Sequence, residues 1–177
     1  MPATPRSHAI LYYSRDGHTD RLARQLSSRL DADLFRIAAA SYGGSWWGYV
    51  VGGFDSLTGR LPAIEPVKDL SGYASLSLGA PVWTTYLAAP LRAYLARSPA
   101  LPKAVGLFLT CGEASFPTKA IDMAGALCRR PLVATLCVPN GIDGTPEMEK
   151  RISAYVAPML RLCCAYVAAM RAAVVQA

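Results

Sequence analysis

The stretch from Lys103 to Cys111, KAVGLFLTC, is a near-continuous apolar run with its only charge at the start. A strand of this kind has no polar face and must be covered on both sides, as strands of a parallel sheet are. The rest of the chain supplies the cover by alternation. Ala9–Tyr13, Asp33–Ala39, Ala74–Trp83 and Leu132–Val138 read as four further strands. Between them run helical spacings: Leu22, Leu26 and Leu30 recur every four residues, and Pro90 opens a helix carrying Leu91, Tyr94 and Leu95. Pro117 starts another, with Ile121, Ala124 and Leu127. Thr145 caps the last, which has Glu147 and Glu149 in its first turn and Met148, Ile152 and Val156 as its stripe. Strand and helix in strict alternation predict right-handed crossovers and a doubly wound parallel sheet. Ligands of such sheets sit beyond the carboxyl ends of the strands, where the strand order reverses.

Length and composition agree. The 177 residues suit one domain, 1–177, with a sizeable core, and 53% apolar against 17% charged residues excludes a disordered chain. Residues 41–73 break the alternation as an aromatic-rich insertion between the second and third strands. Ser45 caps a predicted helix there that is apolar nearly all round, with Trp46, Trp47, Tyr49 and Phe54, and it suggests a dimer or partner surface. The five cysteines show no CxxC or Cys/His ligand spacing, and the polar start Met1–Ser7 does not read as a signal peptide, so the expectation is a cytoplasmic protein with reduced thiols and no metal. A net charge of +6 comes from scattered basic residues without a basic helix stripe, which argues against a nucleic-acid partner. The apolar tail Met159–Ala177 is interrupted by Arg161 and Arg171, which argues against a membrane span; Pro158 is expected to kink this helix.

The chemistry gathers in three loops. Ser14-Arg15-Asp16-Gly17-His18-Thr19 follows the first strand and leads into a helix. The amides of such a loop and of the first helical turn leave N–H groups unpaired, and the helix dipole favours negative charge there. Gly17 lets the backbone curl closely, while Ser14 and Thr19 add hydroxyl donors. This is a place to hold a phosphate, although the same residue types also serve as plain turn and cap residues. The switch-point rule brings two more loops to it: Pro81–Tyr86, with an indole and a phenol beside two threonines, and Thr110–Phe116, rich in small polar residues. An aromatic loop facing a phosphate loop suits a flat heteroaromatic ligand with a phosphorylated tail. Neither GxGxxG nor GxxxxGK[ST] occurs, which argues against a dinucleotide site and a P-loop.

Tyr13-Ser14-x-x-Gly17-x-Thr19 resembles the phosphate loop of flavodoxin-like proteins. Leu78-Gly79-Ala80-Pro81-Val82-Trp83, followed by Ala89-Pro90-Leu91-Arg92-Ala93-Tyr94-Leu95, is similar to their third strand and isoalloxazine loop. Phe108-Leu109-Thr110-Cys111-Gly112 resembles their fourth-strand loop, and Gly48-Tyr49 to Pro62 a segment of the bacterial branch. The resemblance spans nearly the whole chain in order. It implies an α/β flavodoxin-like fold, a five-stranded parallel sheet in the order 2-1-3-4-5 with helices on both faces, and FMN as cofactor. Residue by residue, it implies that Ser14, Arg15, Asp16, Gly17, His18 and Thr19 wrap the FMN phosphate. Pro81, Val82, Trp83, Thr84 and Tyr86 would line the ring, and Thr110, Cys111, Gly112 and Glu113 would close its other side. The flavin would carry the redox chemistry, with no catalytic side chain required.

The implied function is electron transfer to a redox partner protein, or NAD(P)H-dependent reduction of a quinone or similar small-molecule acceptor. The alternative is a flavin-free relative whose site has become a binding or structural module. The chain departs from the family in its basic charge and in Arg15 and His18, which place cations in a loop that elsewhere relies on neutral donors. Cys111 reads as a small buried thiol at a strand end, and Cys163-Cys164 as helix packing.

Overall fold

The computed structural model describes residues 7–40, 58–112, 117–142 and 144–175, with side chains to Leu162. The helix expected to follow Ser45, and Glu113, lie outside these residues.

Strands β1 (His8–Tyr12), β2 (Ala32–Arg36), β3 (Ser75–Trp83), β5 (Ala104–Cys111) and β6 (Thr135–Pro139) form a parallel sheet in the order β2-β1-β3-β5-β6. This is the expected order once the two-residue strand β4 (Tyr86–Leu87), which folds back antiparallel on the end of β3, is set aside. Among the described residues the longer helices are α1 (His18–Leu30), α2 (Ala89–Ala96), α3 (Thr118–Cys128) and α4 (Pro146–Val175), with a 3-10 turn at Asn140–Ile142 after β6.

Period-two alternation assigns each strand residue to a face. Ala9, Leu11, Leu76, Leu78, Ala80, Val105, Leu107 and Leu109 pack against α2 and α3. Ile10, Tyr12, Phe108, Leu136 and Val138 pack against α1 and α4. The central strand β3 is lopsided: over its first five residues its second face carries Ser75, Ser77 and Gly79, a shallow floor that admits large side chains from its neighbours. Tyr155 from α4 donates to Ser77 Oγ at 2.7 Å, and Ser77 Oγ lies 3.0 Å from His8 Nε2. His8 Nδ1 is hydrogen-bonded to Ser75 Oγ, and all four residues are buried. The network lies at the amino end of the sheet, where ligands of this architecture do not bind.

Several boundaries differ from expectation: β2 ends at Arg36 rather than Ala39, and β6 begins at Thr135 rather than Leu132. Helix α1 begins at His18, so His18 and Thr19 form its first turn rather than the loop before it. The hairpin strand β4 was not expected, because its turn is Thr84-Thr85 and carries no glycine or asparagine signal. Both threonines take positive φ, 48° and 73°, as a two-residue hairpin requires. Left-handed backbone is strained for a β-branched residue. Replacing the pair by Asn-Gly is therefore expected to stabilise the protein by about 1–2 kcal/mol, read as a higher urea midpoint with an unchanged slope.

Thr145 caps α4 as expected, accepting from Met148 N–H at 3.3 Å. That helix continues through Pro158 without interruption. Among the described residues no helix is long and apolar enough to cross a membrane.

Candidate functional site

The ends of β1, β3, β5 and β6 surround a cavity of about 130 Å³ at the carboxyl edge of the sheet. The loop after β1 contributes Ser14, Arg15, Asp16, His18 and Thr19; β3 contributes Pro81, Val82 and Trp83; β5 contributes Thr110, Cys111 and Gly112. The three loops singled out in the sequence thus meet at one place. Thr84 and Tyr86 are not among the lining residues, and the Lys119 ammonium stands 5.8 Å from the Tyr86 ring centroid. Gly17 is not a lining residue either, but it caps α1 with φ 87° and ψ −14°, a conformation that favours glycine.

The loop after β1 brings polar and cationic groups to the cavity. The N-cap of α1 is Gly17, which has no side chain to bond the first turn. Arg36 donates to the Ser14 carbonyl at 3.0 Å and holds the loop from the β2 side. That leaves the Ser14 hydroxyl buried on the cavity wall with no hydrogen-bond partner. A buried hydroxyl without a partner is costly, and a ligand oxygen in the cavity would satisfy it. Arg15 brings a cation to the same wall with its side chain only 10% exposed, its Nε 3.7 Å from Asp16 Oδ1. Arg21 donates to His18 Nδ1 at 2.8 Å.

Thr19 lines the cavity and also meets a second wall residue. Its Oγ1 is 2.8 Å from Thr110 Oγ1, and both are buried, so the start of α1 is tied to the end of β5 across the intervening strand β3. On the other side, Trp83 meets Tyr13 edge-to-face, with ring centroids 5.7 Å apart and planes at 89°. That contact fixes the indole at the cavity wall. Burial pushes the Tyr13 phenol up to about 12, so it stays protonated at neutral pH.

Asn140 was missed by the sequence reading. It follows β6, lines the cavity, and has its Oδ1 buried without a partner. The signal that would have found it is its position: a polar residue just past the end of the fifth parallel strand, where the switch-point rule had been applied only to the loops after the first, third and fourth.

No protein-family model and no curated protein matches the sequence. Solved structures do. A flavoprotein in complex with FMN from Lactobacillus acidophilus NCFM superposes with a TM-score of 0.63 at 20% identity, over 75% of this chain and 93% of that one. A flavodoxin, WrbA-like protein from Agrobacterium tumefaciens gives 0.60 at 13% identity, over 90% and 96%. Rubredoxin oxygen:oxidoreductase from Desulfovibrio gigas gives 0.61 at 13% identity, over 93% of this chain and 37% of that one. Likeness at these identities establishes a shared fold.

Proposed function

We propose, starting from the flavodoxin-like fold that this chain adopts, that it is an FMN-binding redox protein with its phosphate site in the loop Ser14–Thr19. The observation that carries the reading is the partnerless buried Ser14 hydroxyl, facing a cavity that also holds Arg15 and the Gly17-capped start of α1. These donors fit a phosphate. Thr110, Cys111 and Gly112 line the cavity beside Pro81, Val82 and Trp83 of the neighbouring strand, and the flat ring would lie against these residues. Bound there, the flavin would supply the electron-carrying chemistry. The protein's own residues bind and orient. Ser14 and Arg15 grip the anionic tail, Trp83 is held in place by Tyr13, and the Thr19–Thr110 contact fixes the spacing of two of the walls.

Two activities are compatible with this site: electron transfer to a partner protein, and NAD(P)H-dependent reduction of a quinone or similar acceptor. The positive net charge supports the second, since a positive field stabilises reduced, anionic flavin. Stopped-flow mixing with NADPH separates them: bleaching without a partner reductase is expected for the reductase, and none for the carrier.

The cofactor itself is tested by adding FMN to the purified protein and reading absorbance near about 450 nm after removing free flavin. A colourless product would favour a flavin-free relative. Ser14→Ala gives a sharper result because its two effects differ in kind. Loss of a hydrogen bond to a charged phosphate should weaken FMN by about 1.5–3 kcal/mol, while the ligand-free variant, relieved of a stranded hydroxyl, should be at least as stable as wild type. Arg15→Gln should weaken FMN more than riboflavin, since riboflavin carries no phosphate. Equal losses for both ligands would move Arg15 away from the tail.

A further inference from the structure

Cys111 and Cys137 stand on the neighbouring strands β5 and β6, on the face covered by α2 and α3. The register opposes Leu109 to Cys137 and Cys111 to Pro139, so the two cysteines are diagonal neighbours on one side of the sheet. Both are thiols, both are buried, and their Sγ atoms are 3.3 Å apart. Of the two, Cys111 lines the cavity and Cys137 stands behind it. We propose that this pair is a redox modification site, at which a hydroperoxide entering the cavity oxidises Cys111 and Cys137 closes a disulfide with it.

The step balances without a further reactant. The Cys111 thiolate attacks one peroxide oxygen; the S–O bond forms, the O–O bond breaks, and the departing oxygen takes a proton to leave as water or an alcohol. Cys137 then attacks the oxidised sulfur; the S–S bond forms, the S–O bond breaks, and the hydroxyl leaves as water with the proton of Cys137. Two thiols and one hydroperoxide become one disulfide and two small products. Position assigns the roles, because an oxidant in the cavity meets Cys111 first. The contact with Cys111, together with burial, pushes the Cys137 thiol far above the ordinary thiol range, which suits a second sulfur that reacts only after Cys111 is oxidised. Cys128 supplies the contrast: it lines no part of the cavity, and burial alone pushes its thiol up to about 11.

The site stands apart from the flavin reading, since it needs only the cavity and the two sulfurs. It adjoins Thr110, whose hydroxyl holds Thr19, so closing the disulfide acts on a wall of the cavity.

The test exposes the full chain, purified reduced, to one equivalent of hydrogen peroxide, with and without added FMN, followed by alkylation and tryptic peptide mapping. The expected result is a loss of about 2 Da, a cross-linked peptide joining Cys111 to Cys137, and full reversal by dithiothreitol. Cys137→Ser should leave Cys111 as a sulfenic acid trapped by dimedone, and Cys111→Ser should abolish peroxide-dependent change at Cys137. Wild-type protein in which Cys111 stays unmodified, goes on to the sulfinic acid, or pairs with another cysteine would overturn the proposal. Mass reports the disulfide whether or not flavin absorbance is present, so failure here and failure of the FMN reading are separate results.

Discussion

Acidification from neutral pH to about 4 is expected to cost the folded protein about 3 kcal/mol through His8 alone. His8 is 1% exposed, and its two ring nitrogens are engaged by Ser75 and Ser77. One nitrogen donates and the other accepts, which a neutral imidazole does and an imidazolium, with two donors, does not. Burial therefore lowers its pKa from 6.5 to about 4. Between those values the unfolded chain binds a proton that the folded protein refuses. Stability is thus complete above about 6.5 and falls as pH drops toward 4, by at most about 1.4 kcal/mol per pH unit. Carboxylates held low in the fold, such as Asp20 beside Arg24 and Tyr12, act in a different window, below the ordinary carboxylate value of 3.8. Urea midpoints at several pH values between 7 and 4 measure the effect. In His8→Asn the overall stability should be lower, because the network through Ser77 and Tyr155 loses a member, but its decline across this window should flatten. An equally steep decline in the variant would assign the acid sensitivity to other groups.

Gly79→Ala should destabilise the protein by about 3 kcal/mol, and the cause is the lopsided central strand. Gly79 pairs in register with Phe108 on β5, and the Phe108 ring lies over the space where a side chain at 79 would stand. A methyl group there would come within 2.1 Å of the ring's Cζ and within 2.4 and 2.7 Å of its two Cε atoms. Several atoms of a rigid ring cannot be avoided by one small rotation, and Phe108 is fully buried, so the strand pair or the ring must shift. Thermal unfolding with and without a second change checks this. Phe108→Leu costs stability by itself, yet Gly79→Ala combined with it should lose less than the sum of the two. Strict additivity would show that the ring is not what meets the new methyl. Because β3 runs on from Gly79 into Pro81, Val82 and Trp83, the double variant also reports how far the cavity tolerates movement in its central wall.

Much of this architecture was legible because it rests on spacing. Leu76, Leu78 and Ala80 alternate as a strand must, Leu22, Leu26 and Leu30 recur as a helix must, and neither pattern depends on distant residues. The carboxyl-edge rule then brought Ser14, Pro81 and Thr110 to one cavity from widely separated places in the chain. What escaped had no local signature. The hairpin at Thr84-Thr85 lacks the residues its backbone favours, so only pairing with Val82 and Trp83 reveals it. Asn140 acquires meaning from the strands beside it. Ser75 and Ser77 look like the polar half of an exposed alternation, whereas in the fold they are buried under Tyr155 and against His8.

The order of amino acids by itself determined the five parallel strands, the helices between them, and which strand ends would gather at one edge of the sheet. These follow from periodicity and chain direction, both local properties. Only the tertiary structure decided that Thr19 would meet Thr110, that Ser14 would be left without a partner, and that two cysteines distant in the chain would touch. Such pairings depend on register and close packing between strands, where a shift of one residue moves every side chain to the opposite face.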